Sequence, residues 1–178
     1  YTLEIIPILD IKSPEQAKNI TDFSVHHVKY INKQTKKYPK LANEIRLAKV
    51  FAKANKFYGA ESYIKGVSGY VLEILVSKYG SFTKFAKNAS KWKSKTIIGN
   101  VREAEKLNWA KKISPLILID PVQPDRNAAA ALSIEQYKNI IKFSKKFVKS
   151  PSESLFEQKP LDIKQFKKQG NLTIIEVQ

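Results

Sequence analysis

One short stretch of the sequence places a single arginine between a predicted strand and a predicted helix. The stretch LILIDPVQPDRNAAAAL, residues 116–132, runs from four aliphatic residues through Asp120 and two prolines to Arg126. The prolines restrict the backbone of the turn, and the arginine offers a planar fork of hydrogen-bond donors. Taken alone, this pattern favours a structural role in which Arg126 caps a helix or pairs with Asp120 or Asp125.

The two histidines, His26 and His27, are adjacent in the sequence. Adjacent residues on a helix point about 100° apart, so both cannot face one metal ion. The sequence has no cysteine, no carboxylates clustered at metal-ligand spacing and no glycine-rich phosphate loop. A zinc site is therefore not expected, and each histidine by itself predicts a packing or surface residue.

The charge of the chain predicts a polyanionic partner. Lysine and arginine number 32 against 16 acidic residues, a formal net charge of +16. Nine basic residues and one acid lie between Lys29 and Lys56, and residues 137–151 contain five lysines and no acid. Such clusters are typical of nucleic-acid binding, and the excess of lysine over arginine favours contact with phosphates. The alternative is a solvated, lysine-rich surface.

Local signals predict a mainly α fold with short β elements (α+β). Strands are predicted at residues 2–9, 116–119 and 172–177, and a basic linker at 33–40. Helices are predicted from capping residues and apolar periodicity. The first predicted helix begins at the SPEQ word near Ser13. Further helices are predicted at residues 42–55, 70–79, 81–93, 101–112 and 133–149.

The start of the sequence and its lack of cysteine bear on the extent of the protein and on its cellular setting. The sequence starts at Tyr1 inside an apolar run and contains no methionine, which we interpret as a piece of a longer protein. No apolar run has the length of a membrane span, so no membrane partner is expected. The missing cysteines make a reducing, cytoplasmic setting the default expectation.

Longer words of the sequence resemble one enzyme family. The segment NEIRLAKVFAKANKFYGAESYIKGVSGYVLEILVSKYGSF is followed by ASKW and by DPVQPDRNAAAALS, in that order. These words are similar to the archaeal-type (class I) CCA-adding enzymes, which are tRNA nucleotidyltransferases. The resemblance covers nearly the whole chain and is dense from Glu44 to Ser133. It implies a helical central domain flanked by strands of neighbouring domains.

The resemblance also implies the roles of particular residues. EIIP places Glu4 at the family's third metal-binding carboxylate, and DFSVHH places His27 at a nucleotide-contacting histidine. Lys49 and Tyr58, nine residues apart, match the lysine and tyrosine that contact the triphosphate. Arg126 matches the arginine that helps to recognise the incoming base.

The sequence departs from the family pattern at several positions. Glu4 stands where the family has an aspartate, and Gln123 stands where an aspartate is usual. The glycine-serine loop and the paired metal-binding aspartates of the catalytic head do not occur in the sequence. One carboxylate of three cannot hold two Mg²⁺ ions, so this chain by itself is predicted to be inactive.

The implied organisation has three parts, with one leading function and two alternatives. Residues 1–35 would end the catalytic head, 36–150 would form the central domain, and 151–178 would be a linker and the first strand of an RNA-binding domain. The implied activity is addition of C, C and A to tRNA 3′ ends, with tRNA, CTP and ATP as partners, Mg²⁺ as cofactor and a homodimer left open. A non-catalytic RNA-binding homologue and an oligo- or poly(A) polymerase are the alternatives.

Overall fold

The computed structural model describes residues 5 and 7–158, and their regular structure is mainly helical. The α-helices are α1 (Ser24–Lys37), α2 (Leu41–Ala54), α3 (Gly69–Tyr79), α4 (Phe82–Ala89), α5 (Val101–Lys106) and α6 (Ile134–Lys149). The strands are β1 (Thr96–Ile98) and β2 (Leu116–Leu118). Short 3-10 helices lie at Pro14–Gln16, Ile20–Phe23, Ala110–Lys112 and Glu153–Leu155. The predicted class, mainly α with short β elements, is confirmed.

Helices α2 and α3 form the centre of the core. Ile45, Ala48, Phe51 and Ala52, predicted to share one side of α2, are all buried. Helix α3 is apolar on most of its circumference, and five of its residues are buried. Helix α2 packs along α3, and α4 and α6 pack against each other, so burial of these apolar faces stabilises the whole helical unit.

The helix boundaries follow the capping signals of the sequence. The side chains of Ser68, Ser81 and Ser133 each accept a hydrogen bond from the backbone N–H three residues further on, at the start of α3, α4 and α6. Helix α3 ends at Gly80, whose φ of 84° lies in the left-handed region. These predicted helix starts and the predicted glycine end are therefore confirmed.

Phenylalanine rings join the last described residues to the core. The ring of Phe51 lies 5.2 Å from that of Phe82 and 5.5 Å from that of Phe156. The Asn55 side chain donates to the Leu155 carbonyl at 2.8 Å. Residues 153–156, assigned from the sequence to the linker, thus pack as part of the helical unit.

The two strands form a parallel pair in which Ile98 lies beside Leu118. Strand β2 was predicted, and its three residues are buried. Strand β1 was not predicted, because its three residues, TII, lie in a lysine-rich stretch and give too short a pattern. Both strands lead into loops at the same edge, and the loop after β2 contains Asp120.

The predicted linker at residues 33–40 is wrong for most of its length. Helix α1 continues through Lys37, and residues 38–40 alone connect it to α2. Lysine forms helices well, and Ile31 packs against the core, so the basic run extends the helix instead of interrupting it.

Two other helices are shorter than predicted. Helix α4 ends at Ala89, before the expected end near residue 93. The helix predicted over residues 101–112 is divided, because Leu107 is extended and Asn108 accepts a hydrogen bond from the Lys111 backbone, which starts a new turn.

The predictions at the two ends are only partly covered by the described residues. The SPEQ word forms a single 3-10 turn, Pro14–Gln16, without a side-chain cap from Ser13. Of the strand predicted at residues 2–9, residues 5 and 7–9 are described, and they lie in neither helix nor strand. The strand predicted at 172–177 lies outside the described residues.

Candidate functional site

A buried carboxylate at the end of β2 forms the centre of the site. The Asp120 side chain is 0% exposed. Its Oδ1 accepts hydrogen bonds from the Tyr70 hydroxyl at 3.0 Å and from the Val122 backbone N–H at 2.9 Å. Its Oδ2 accepts from Arg126 Nη1 at 2.9 Å and lies 3.4 Å from His27 Nε2. One carboxylate therefore joins side chains from α1, α3 and the loop after β2.

The surroundings of Asp120 favour its charged form. Burial by itself would raise the pKa of this carboxyl, but neighbouring His27, the Val122 N–H and the Tyr70 hydroxyl hold the pKa below its ordinary value. Burial, together with the negative charge of Asp120, raises the pKa of Tyr70. The pair is thus an ionised acceptor and a neutral donor, which is the stable arrangement for a buried hydrogen bond.

His27 is held between Tyr70 and Asp120. The imidazole stacks on the Tyr70 ring with centroids 4.0 Å apart and an angle of 24° between the planes. Its Nε2 atom lies 3.4 Å from Asp120 Oδ2, but the two groups are not aligned for a hydrogen bond. His27, chosen over His26 from the family word, is therefore the histidine that lies beside Asp120.

Arg126 combines the structural contact expected from the residues with an accessible side chain. Its guanidinium pairs with Asp120 through Nη1 and remains 33% exposed. The ion pair with Asp120 is one of the two interpretations that the sequence left open. It does not exclude the other, because a guanidinium held at one end can still donate from its other nitrogens to a ligand.

The loop that presents Arg126 is closed by Asn127. The Asn127 side chain is buried, and its oxygen accepts from the Leu118 N–H at 2.9 Å and the Ala129 N–H at 3.0 Å. Its amide donates to the carbonyls of Lys111 and Leu116. Four contacts to one amide fix the backbone beside Arg126, so the loop has a defined shape without a ligand.

Lys49 and Tyr58 meet over the first residue of α3. A Cβ placed on Gly69 would lie 3.0 Å from the Tyr58 hydroxyl and 3.6 Å from Lys49 Nζ. Lys49 Nζ also pairs with Glu73 Oε1 at 2.6 Å. Gly69 therefore leaves room for two polar groups at the amino end of α3, where the backbone dipole adds positive potential.

Helix α3 connects the two halves of the site. Gly69 lies under Lys49 and Tyr58, and the next residue, Tyr70, contacts His27 and Asp120. One helix thus connects the two halves, and Arg126 is joined to it through Asp120.

Three residues of the site were not predicted from the sequence. Tyr70, Glu73 and Asn127 lie within the family words quoted above but were given no role there, and they organise the predicted residues. The asparagine directly after Arg126 was the one available signal, since asparagine side chains often bond to nearby backbone. Nothing local indicates that Tyr70 and Glu73 face partners on other elements.

A cavity of about 510 Å³ lies on another side of Asp120. It opens at the edge where β1 and β2 end, and its lining includes Tyr30, Lys78, Asn100 and Pro121. None of the four predicted nucleotide-contacting residues lines it. Asp120, the centre of the site, also lines the cavity, so the cavity adjoins the site at this residue.

A basic surface follows one side of α1. Lys29, Asn32, Lys33 and Lys36 line a shallow depression there. We call the three lysines of this surface the α1 lysine stripe. A surface of this kind suits the contact with phosphates that the charge of the chain predicts.

The described residues do not form a metal site by themselves. Among residues 5 and 7–158, no three histidine, aspartate or glutamate side chains lie close enough to hold a metal ion. Glu4, the predicted metal ligand, lies outside the described part of the chain. The Mg²⁺ cofactor stays a prediction that depends on Glu4 and on carboxylates that this chain does not contain. In the same described part, no helix is long and apolar enough to cross a membrane.

The fold agrees with comparisons to known proteins. The chain belongs to a family described as tRNA nucleotidyltransferase, second domain, which matches residues 43–157. This match includes Lys49, Tyr58 and Arg126, and it ends close to the last described residue.

The individual relatives are archaeal enzymes. The chain is 43% identical to the CCA-adding enzyme of Nanoarchaeum equitans over 146 residues, which is 78% of this chain and 36% of that protein. It is 39% identical to the CCA-adding enzyme of Pyrobaculum aerophilum over 88% of this chain and 36% of that protein. It is 35% identical to the CCA-adding enzyme of Archaeoglobus fulgidus over 90% of this chain and 35% of that protein. The chain thus spans about a third of the length of these relatives, and the resemblance to archaeal CCA-adding enzymes is confirmed.

Proposed function

We propose that this chain is the central, nucleotide- and tRNA-contacting part of an enzyme that adds C, C and A to tRNA 3′ ends from CTP and ATP. Its relatives are named CCA-adding enzymes, and its family is defined by the second domain of tRNA nucleotidyltransferases. The nucleotides, the contact roles and the reaction go beyond those names and are our proposal.

In this proposal the two halves of the site bind two ends of one nucleotide. Lys49 and Tyr58 bind the triphosphate beside Gly69, and His27 contacts the same group from α1. Arg126 donates to the edge of the base and favours C and A over U and G. A positive and partly enclosed site suits a triphosphate, because charge-assisted hydrogen bonds strengthen where water is excluded.

The reaction is an in-line displacement at the α-phosphate. The 3′ hydroxyl oxygen of the tRNA forms a bond to the α-phosphorus and loses its proton, and the bond to the β-phosphate oxygen breaks to release pyrophosphate. The residues of this chain hold the triphosphate and orient the base. The metal-binding carboxylates lie outside the described residues, so no step is assigned to a metal ion here.

One observation supports this proposal most directly. Arg126 and His27 come from segments about one hundred residues apart, yet both lie against the same oxygen of Asp120. A structural ion pair would need only one of them. In this proposal, a histidine and an arginine that converge on one carboxylate recognise a nucleoside triphosphate together with Lys49 and Tyr58.

Incubation of the full-length protein with tRNA lacking its 3′ CCA tests the proposal. Single labelled nucleotides should be incorporated from CTP first, and from ATP once two C residues are present. A folded protein that binds tRNA but incorporates nothing would support the non-catalytic homologue. Long A tracts formed without C would support the poly(A) polymerase alternative.

A further inference from the structure

Asp120 lies at the centre of the site, yet none of the proposed nucleotide contacts involves it. It is buried, its pKa is held below the ordinary value, and it contacts Tyr70, His27 and Arg126. The cavity beside it and the α1 lysine stripe contain no group that identifies a particular ligand. The contacts of Asp120, in contrast, define a specific task.

We propose that Asp120 is a positioning residue that couples base choice to triphosphate binding. This inference rests on the proposed function, because it assumes that His27 contacts the triphosphate and Arg126 the base. Asp120 touches neither part of the nucleotide. It acts by fixing where His27 and Arg126 lie relative to each other.

The two oxygens of Asp120 divide this task. Oδ1 accepts from Tyr70 and from the Val122 N–H, which attaches the carboxylate to α3 and to its own loop. Oδ2 faces the two site residues, with Arg126 Nη1 at 2.9 Å and His27 Nε2 at 3.4 Å. Oδ1 therefore attaches the carboxylate to its surroundings, and Oδ2 faces Arg126 and His27.

Sharing one oxygen makes the two side chains interdependent. If Arg126 moves away to follow a poorly fitting base, Oδ2 loses its contact with Arg126 and keeps the one with His27. The position of His27 relative to the triphosphate then changes. If His27 is drawn towards a phosphate, Arg126 becomes the main partner of Oδ2. A wrong base thus weakens triphosphate contact as well as base contact, which increases discrimination beyond what Arg126 achieves alone.

An Asp120→Asn substitution separates these contacts with little change in shape. The amide oxygen can replace Oδ1 and accept from Tyr70 and Val122. The amide nitrogen then replaces Oδ2, so it presents a hydrogen-bond donor to Arg126, which is itself a donor, and removes the negative charge beside His27. The loop attachment is retained, whereas the coupling is removed.

The matched control is Asp125→Asn. Asp125 lies in the same loop, and its exposed carboxylate contacts Lys111. The two variants remove the same charge from the same loop. A general electrostatic effect would therefore appear in both.

The experiment measures kcat and KM for CTP, ATP, UTP and GTP with the full-length protein, beside its melting temperature. Asp120→Asn should lower the preference for CTP and ATP over UTP and GTP by about tenfold or more and raise KM for CTP and ATP. Asp125→Asn should match the wild type. A folded Asp120→Asn protein with wild-type preference would overturn the inference.

A double-mutant cycle covers the case in which Asp120→Asn does not fold. His27→Ala and Arg126→Ala, singly and together, should affect nucleotide preference non-additively, by about tenfold, while Asp120 is intact. Additive effects would overturn the coupling. Where Asp120→Asn does fold, the cycle repeated in that variant should become additive.

Binding measurements distinguish failure of this inference from failure of the proposed function. Calorimetry of CTP and UTP with the same full-length variants reports the coupling without any need for nucleotide addition. A wild type that binds CTP better than UTP but adds neither would refute the proposed reaction and leave the coupling measurable. A wild type that binds no nucleotide would overturn both.

Discussion

At the scale of single residues, two of the proposed nucleotide-contacting side chains are held by ion pairs within the chain. Arg126 pairs with Asp120, and Lys49 pairs with Glu73. Each ion pair keeps a long flexible side chain in one place and leaves part of it exposed. A ligand then meets a group that has already lost much of its conformational freedom, which lowers the entropic cost of binding.

Substitution of Arg126 should change nucleotide choice as well as stability. In the full-length protein, Arg126→Ala should lower discrimination against UTP and GTP, because the donors that reject them are gone. It should also reduce stability by about 1–3 kcal/mol, since Asp120 loses a charged partner. Arg126→Lys should not restore selectivity, as one ammonium cannot reproduce two-pronged geometry.

Single-nucleotide incorporation for all four triphosphates and a thermal melt together test this prediction. A lower melting temperature with unchanged preference for C and A would leave Arg126 with the structural role alone.

Lys49→Ala and Tyr58→Phe should impair use of CTP and ATP equally. Both nucleotides share the triphosphate, and loss of a hydrogen bond to a charged group is worth about 1.5–3 kcal/mol. The measurement is kcat/KM for each nucleotide in the full-length protein, with Lys87→Ala, an exposed lysine of α4, as the control. A defect confined to ATP would contradict the shared role.

At the scale of elements, the parts that the sequence predicted well depend on local chemistry. Serine caps, Gly80 and apolar spacing act within a few residues, so α2, α3 and α6 were placed nearly to the residue. Strand β1 forms only because β2 lies beside it, and no local signal describes that partner. The same reason hides Tyr70, whose hydroxyl finds Asp120 fifty residues further along the chain.

The loop after β2 should depend on Asn127 for its shape. Asn127→Ala removes an amide that makes four hydrogen bonds and leaves buried backbone groups unpaired, at a cost of about 2–4 kcal/mol. Urea unfolding of this chain would measure the change, and Asn139→Ala on the partly buried side of α6 serves as the control. Equal stability of the Asn127 variant and the wild type would refute an anchoring role.

The stability of the helical unit should fall in acid through Asp120. Its pKa is lower in the folded state than in the unfolded chain, so its contribution is present above the unfolded pKa and is lost as pH falls through the folded pKa. Asp22, whose pKa is also lowered, by hydrogen bonds from the backbone of residues 9, 18 and 19, adds to the same trend.

Urea unfolding of the wild type and of Asp120→Asn between neutral pH and about pH 3 tests this prediction. The wild type should lose stability more steeply with acid than the variant. Parallel curves would show that Asp120 does not contribute to the pH dependence.

At the scale of the whole molecule, charge and fold predict different properties. The charge of +16 predicts strong but unselective contact with phosphates, whereas the site around Asp120 predicts selection among nucleotides. Contact with phosphates can be predicted from the count of charged residues alone. Selection among nucleotides required the resemblance to a family, and its geometry required the folded chain.

This chain should bind tRNA with an affinity that falls at least tenfold or so between 50 and 200 mM salt, because lysines act through release of counterions. Replacing Lys29, Lys33 and Lys36 by Gln should reduce the slope of log affinity against log salt by about 2–3. Lys84, Lys87 and Lys91, changed in the same way, provide the control. An equal effect of both sets would point to net charge and not to the α1 lysine stripe.

The continuity of α1 has a consequence for how an RNA lies on the protein. Successive helical residues turn by about 100°, so Lys29, Lys33 and Lys36 project from the side of α1 opposite to His27. A nucleotide beside His27 and phosphates on the stripe would then sit back to back, separated by a helix about 10 Å thick. In the proposed function, the 3′ terminus that receives a nucleotide would therefore be a different part of the tRNA from the backbone that these lysines contact. An RNA shortened to its 3′ terminus would reach the nucleotide but would not contact the α1 lysine stripe.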